Sequence, residues 1–181
     1  MTTAGLMQNY FELFNLPAAY DLDLTELSTR YRKLQATVHP DKFANATDLE
    51  RRLSMQQSAL INEAYQTLKN PLLRARYMLQ LKGVDLSSES SVNMDSEFLM
   101  QQMRLREELE RVRAQNNPEA KLLVIAKEIE QAIAEQITVL TSLFDESNEK
   151  KIPQIADYVR RMQFMVKLQH ETEMLEEELM S

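Results

Sequence analysis

The sequence predicts an all-α protein in two parts, an N-terminal helical hairpin and a C-terminal three-helix bundle, and three observations lead there. Glycine supplies the positive φ of phosphate-cradling loops and tight hairpin turns, and the chain holds only two glycines in 181 residues. That disfavours nucleotide-binding α/β folds and meandering sheets. Apolar residues instead recur at three- and four-residue spacing along most of the chain, the period of one helical face. Charge then divides the chain, since residues 1–83 carry ten Lys and Arg against eight Asp and Glu, whereas residues 84–181 carry eleven against twenty. Between the halves lies Gly83 to Asp95, reading GVDLSSESSVNMD: a glycine after a helical stretch, a serine run, and an aspartate set to cap a helix. The expected division is a first domain over 1–82, a linker over 83–94 and a helical bundle over 95–181.

The same composition narrows the function. The longest apolar stretch, Leu122 to Phe144, is interrupted by Lys127, Glu128, Glu130 and Glu135, so no membrane span is expected. Met1 to Tyr10 has neither the basic cluster and apolar core of a secretory signal nor the arginines of a transit peptide. A cytoplasmic location is the expectation, with the residues before Tyr10 a short extension and Met7 an alternative start. Zero cysteines exclude disulfides, thiolate zinc sites, cysteine-ligated iron–sulfur clusters and cysteine nucleophiles. No cofactor is expected, and the acidic second half lacks the basic stripe that nucleic-acid binding requires.

The first half resolves into four helices. Tyr10, Phe11, Leu13 and Phe14 form a short one that stops before Pro17, because a residue preceding proline is pushed out of the α region. Asp23 or Thr25 caps the second, where Leu24, Leu27, Tyr31, Leu34 and Val38 share a face. Arg30, Arg32 and Lys33 occupy its other faces. Three scattered cations are by default a solvated surface, and become a docking patch only beside a motif that calls for one. The third helix runs from about Asp48 to Leu68 with Leu49, Leu53, Ile61, Ala64 and Leu68 expected inward, and the fourth follows Asn70-Pro71 with Leu72, Leu73, Tyr77, Met78 and Leu81. The second and third form an antiparallel hairpin whose tip is His39-Pro40-Asp41-Lys42-Phe43, with Pro40 ending the helix before it.

Those residues carry a resemblance. Tyr10-Phe11, then Tyr31-Arg32-Lys33-Leu34, His39-Pro40-Asp41, Ile61-Asn62-Glu63-Ala64-Tyr65 with Leu68, and Arg74-Ala75-Arg76-Tyr77 after Pro71 resemble a J-domain in order and spacing. The resemblance implies a co-chaperone that stimulates the ATPase of a DnaK-type chaperone. It further implies that the loop residues His39, Pro40 and Asp41 dock on the chaperone together with Arg30, Lys33, Arg32 and Lys42. No proton transfer is needed: the Asp41 carboxylate suits a charge-assisted contact with a partner arginine, while Pro40 holds the geometry and His39 gives directional hydrogen bonds. A catalytic His39–Asp41 pair has the right residue types but no nucleophile or metal ligand placed to work with it, so the protein is not expected to be an enzyme.

The second half has neither the Gly-rich stretch nor the cysteine repeat that follows most J-domains. Three long amphipathic segments, from Asp95 to about Gln115, Pro118 to about Phe144 and Pro153 to about Leu179, make an antiparallel bundle. At about 100° per residue, the first segment puts Phe98, Leu105, Leu109 and Val112 on one side and Leu99, Met100 and Met103 on another, with Arg104, Glu107 and Arg111. The second patch is either core against a further neighbour or an exposed docking face. Phe164 and Leu168 lie away from the Ile155, Val159, Met162 and Val166 stripe and are open to the same two readings.

With the J-domain in front of it, the stretch from Phe98-Leu99-Met100 through Leu105-Arg106-Glu107-Glu108-Leu109 is similar to the HscB-type co-chaperones of bacterial iron–sulfur cluster assembly, over nearly the whole chain. That similarity implies two partners, a specialised DnaK-type chaperone (HscA) and the iron–sulfur scaffold protein (IscU), the latter held by Leu99, Met100, Met103, Glu107 and Phe164. Arg104 and Arg111 depart from the acidic residues that relatives carry there, which leaves the electrostatic part of scaffold binding open. A general J-domain co-chaperone with another client is the alternative. Leu79 and Leu81, where many J-domains turn polar, suggest that the fourth helix packs on the bundle.

Overall fold

The computed structural model describes residues 9–43, 45–86, 95–146 and 149–181. The residues before Asn9, Met7 among them, and most of the expected 83–94 linker lie outside the described residues. Among those described, the secondary structure is all helical: α1 (Tyr10–Leu13), α2 (Leu24–Val38), α3 (Asp48–Lys69), α4 (Pro71–Leu81), α5 (Ser96–Arg111), α6 (Pro118–Asp145) and α7 (Ile152–Met180), with 3₁₀ turns at Pro40–Phe43, Val112–Ala114 and Glu149–Lys151. The chain divides into two compact units, Met1–Met78 and Leu79–Ser181.

The first unit is held by caps and by a polar zipper. Asn9 and Glu12 form a capping box on α1, Asp23 accepts from the Thr25 and Glu26 amides at the start of α2, and Thr47 with Glu50 forms a second box on α3. Between α2 and α3 the Tyr31 and Tyr65 rings stack at 4.0 Å. The Tyr31 hydroxyl donates to Asn62 at 2.7 Å, and the buried Ser54 hydroxyl donates to the Val38 carbonyl at 2.5 Å. The last contact satisfies a carbonyl at the end of α2, where no intrahelical donor remains.

Three expectations are corrected here. Leu49 and Leu53 are 65% and 48% exposed rather than inward, because the buried side of α3 is set by Ser54, Ile61, Ala64 and Leu68. Leu49 has the right local spacing to Leu53 but lies about 120° from Ile61 around the helix. Leu24 on α2, and Leu73 and Leu81 on α4, are exposed as well. In α4 the buried place goes instead to Arg74, whose Nη1 donates to the Leu68 carbonyl at 2.7 Å and whose guanidinium lies 4.9 Å from the Tyr20 ring centre. Past α4, Gly83 takes φ +76° while the Gly83 and Val84 amides donate to the Gln80 and Leu79 carbonyls. That helix stop needs a residue free of the Cβ penalty.

In the second unit α6 and α7 form a long antiparallel hairpin, and the shorter α5 lies against both more lightly. Phe98, Leu105, Leu109 and Val112 pack with Leu122, Ile125 and Ile129 of α6 and with Met165, Leu168 and Leu175 of α7. Charged pairs line the seams: Arg104 reaches Glu128 on α6, while Arg106 and Arg113 reach Glu171 and Glu178 on α7. Both α7 partners advance with α5, so α5 and α7 run parallel.

Candidate functional site

Two separate groups of exposed side chains stand out, one on each unit. In the first, Pro40 draws His39 into an extended conformation, φ −60° and ψ 132°, and the chain then tightens into the Pro40–Phe43 turn. The Asp41 amide donates to His39 Nδ1 at 3.3 Å and the Lys42 amide to the His39 carbonyl at 3.0 Å. In either protonation state the imidazole keeps at least one N–H donor. The Asp41 carboxylate comes within 3.5 Å of Nδ1 yet is 91% exposed. The loop thus offers one ring donor and one carboxylate on a tip fixed by backbone geometry.

The expected cations beside this loop are unequally placed. Lys33, Arg32 and Lys42 are exposed, and among the described residues no ion pair engages any of the three. Arg30 is committed within the domain. Its Nε pairs with Glu26 at 2.6 Å and its Nη1 donates to the Phe14 and Asn15 carbonyls at the end of α1. The reason is angular, since Arg30 sits about 60° from the buried Leu27 line and Arg32 and Lys33 more than 100° from it.

On the second unit, the two readings of α5 are separated by burial. Phe98, Leu105, Leu109 and Val112 are core, while Leu99, Met100 and Met103 are 41%, 67% and 64% exposed. Phe164 on α7 is 37% exposed and Leu168 is core at 1%. Leu99 and Met103 project from the side of α5 that also carries Arg106, and Phe164 from the side of α7 that carries Glu171. The Arg106–Glu171 pair, 3.8 Å apart, therefore marks the seam that these apolar residues flank.

The arginines on this helix are neutralised from inside. Arg104 is held by Glu128 and, at 2.9 Å, by Glu108, and these carboxylates, Glu128 first, strengthen its hold on its proton. Arg111 lies 3.6 Å from Glu107, the one residue expected to hold the scaffold that bears a charge. What remains is an exposed apolar surface, rich in unbranched methionine that adapts to a partner's shape. Among the described residues no group of three or more His, Asp or Glu is placed to hold a metal ion, and no helix is long and apolar enough to cross a membrane.

Sequence reasoning missed two residues of consequence. Arg74 stands in the sequence only as part of a motif, although it is a buried structural cation. Arg161 lies between the rings of Phe98 and Tyr158, 5.4 Å and 5.0 Å from their centres. No one-dimensional signal marks either, because each is defined by rings on other segments.

Comparisons with known proteins cover both units. Residues 9–77 match the DnaJ domain model and residues 94–173 the HSCB C-terminal oligomerisation domain model. The chain is 46% identical over 171 residues to the co-chaperone protein HscB homolog of Shewanella halifaxensis, covering 94% of this chain and 98% of that one. It is 45% identical to the homolog of Shewanella pealeana, covering 95% and 99%. Among solved structures, the chaperone HscB from Vibrio cholerae superimposes with a TM-score of 0.81 at 42% identity, covering 94% and 99% of the two chains. The human co-chaperone protein HscB superimposes with a TM-score of 0.83 at 26% identity, covering 96% and 85%.

Proposed function

The chain belongs to the HscB co-chaperone family, and on that premise we propose that it is a two-site adaptor for iron–sulfur cluster assembly. Its J-domain engages a DnaK-type chaperone of the HscA kind through His39, Pro40 and Asp41, with Lys33, Arg32 and Lys42 as the exposed cations. Arg30 contributes by keeping α1 against α2. Its bundle holds a scaffold protein of the IscU kind on Leu99, Met100, Met103 and Phe164, with Glu107 at the edge. The adaptor presents the scaffold to the ATP-bound chaperone, stimulates ATP hydrolysis, and so locks the chaperone on its client. Any cluster belongs to the scaffold, since this chain has no cysteine to ligate one. The reading is of a docking protein acting in the cytoplasm, without chemistry or a cofactor of its own.

One observation carries the reading: three large apolar side chains, Leu99, Met100 and Met103, stand exposed on a bundle helix whose other face is core, on a chain whose N-terminal half is a J-domain. Exposed apolar clusters of this kind mark interaction sites. The test is the steady-state ATPase rate of the chaperone with the scaffold present. Wild type stimulates it, His39→Gln does not, and the triple alanine variant of Leu99, Met100 and Met103 loses only the scaffold-dependent part. A triple variant that folds and behaves as wild type overturns the client assignment and leaves a general J-domain co-chaperone with another client.

A further inference from the structure

The first turns of α5, which carry the exposed apolar residues, are anchored in the core through Phe98. The ion pairs from this helix region to its neighbours, through Arg104, Arg106 and Arg113, begin at its middle and continue past its end. They are exposed, and such pairs stabilise little. The first two turns, Ser96 to Met103, instead border a cleft of about 500 Å³ lined by Glu97, Phe98 and Gln101 from α5 and by residues of α6 and α7. Tyr158 and Arg161 of α7 line the same cleft.

The Arg161 guanidinium lies between two aromatic rings, Tyr158 on its own helix and Phe98 in the first turn of α5. Its Nε is buried with no hydrogen-bond partner among the described residues, and its guanidinium contacts both rings. A planar cation covers two ring faces at once, which a lysine ammonium cannot do. Phe98 adjoins Leu99, and Met100 and Met103 follow within the next turn and a half.

We propose that Arg161 is a positioning residue for the scaffold face: its bridge between Phe98 and Tyr158 holds the first turns of α5 against α7 and so keeps Leu99, Met100 and Met103 in register with Phe164. The assignment of a function to that face rests on the reading given above; the clamp itself does not. Without the bridge, the start of α5 opens over the cleft, and the apparent affinity for scaffold falls with the closed fraction.

The test combines calorimetric titration of purified scaffold protein into the full chain with hydrogen exchange of the α5 amides. Arg161→Met is expected to lose about five- to tenfold in affinity, the loss that follows if about a tenth to a fifth of molecules stay closed. Exchange quickens from Leu99 to Met103, and scaffold-independent stimulation of the chaperone stays at the wild-type level. Arg161→Lys recovers only part of the loss. Leu122→Ala, a core change at the other end of α6, beside Thr172 and Leu179 of α7, serves as the stability control. The clamp is overturned if Arg161→Met leaves affinity and exchange unchanged, or if Leu122→Ala at matched melting temperature reproduces both effects. If Arg161→Met opens the turn while the Leu99, Met100, Met103 triple alanine variant still binds scaffold as wild type does, the scaffold-face reading fails and the clamp stands.

Discussion

His39 and Asp41 are exposed side chains on a backbone-fixed tip, so removing them deletes a surface and little else. His39→Gln and Asp41→Asn are each expected to keep the wild-type melting temperature to within a degree or two, since exposed substitutions cost about half a kcal/mol or less, while abolishing chaperone stimulation. Calorimetry beside the ATPase assay checks both halves of the expectation. Tyr20 is the opposite case, a phenol with structural weight. Burial pushes it up from its ordinary value of 10.0 to about 12, with the Arg74 charge pulling the other way. The folded state then keeps a proton that the unfolded chain releases above about pH 10. Its contribution is present below that pH and is lost as pH rises towards the folded value, for a total of about 2 to 3 kcal/mol. Urea unfolding at about pH 9 and about pH 11.5 is expected to show a smaller drop for Tyr20→Phe than for wild type.

At the scale of the element, α3 shows why local periodicity misleads. Leu49 and Leu53 are spaced as partners of Ile61 would be over one turn, yet drift out of phase over three. Ile61→Ala should destabilise by about 2 to 4 kcal/mol as a core truncation, whereas Leu53→Ala should cost about half a kcal/mol or less. Chemical denaturation of the two variants distinguishes the observed phase of α3 from the expected one. Leu49 and Leu53, expected inward, are thereby left on the surface, where Leu60 is exposed as well. In α5 the wheel was sufficient to divide two patches but not to say which was covered. That required α6 and α7 to be in place.

At the scale of the molecule, the two proposed contacts differ in chemistry. The J-domain contact proposed here uses exposed cations and one carboxylate, interactions that salt weakens, with a screening length of about 8 to 10 Å. The scaffold contact uses apolar side chains beside arginines already paired with Glu108, Glu128 and Glu107. Raising ionic strength should therefore weaken the chaperone interaction progressively while scaffold affinity changes by no more than about twofold, less than half a kcal/mol. Titrations of each partner across a salt series measure this, and a scaffold affinity that falls as steeply as the chaperone's would show that the internal pairing of Arg104 and Arg111 does not hold in the complex.

The sequence by itself determined what depends on neighbours along the chain. Helix identity followed from glycine scarcity and apolar period, helix starts from Asp23, Asp95 and Pro118, and the loop from Pro40. Each acts within four or five residues, through backbone sterics or a cap. The J-domain and the co-chaperone family followed from motif order, which is also linear information. The tertiary structure decided what depends on a second segment: that Arg30 is spent on the end of α1, that Arg74 is buried under Tyr20, that Leu99, Met100 and Met103 are uncovered, and that Arg161 spans two rings. Burial and pairing are properties of neighbours brought together by folding, and a single-helix projection contains no term for them.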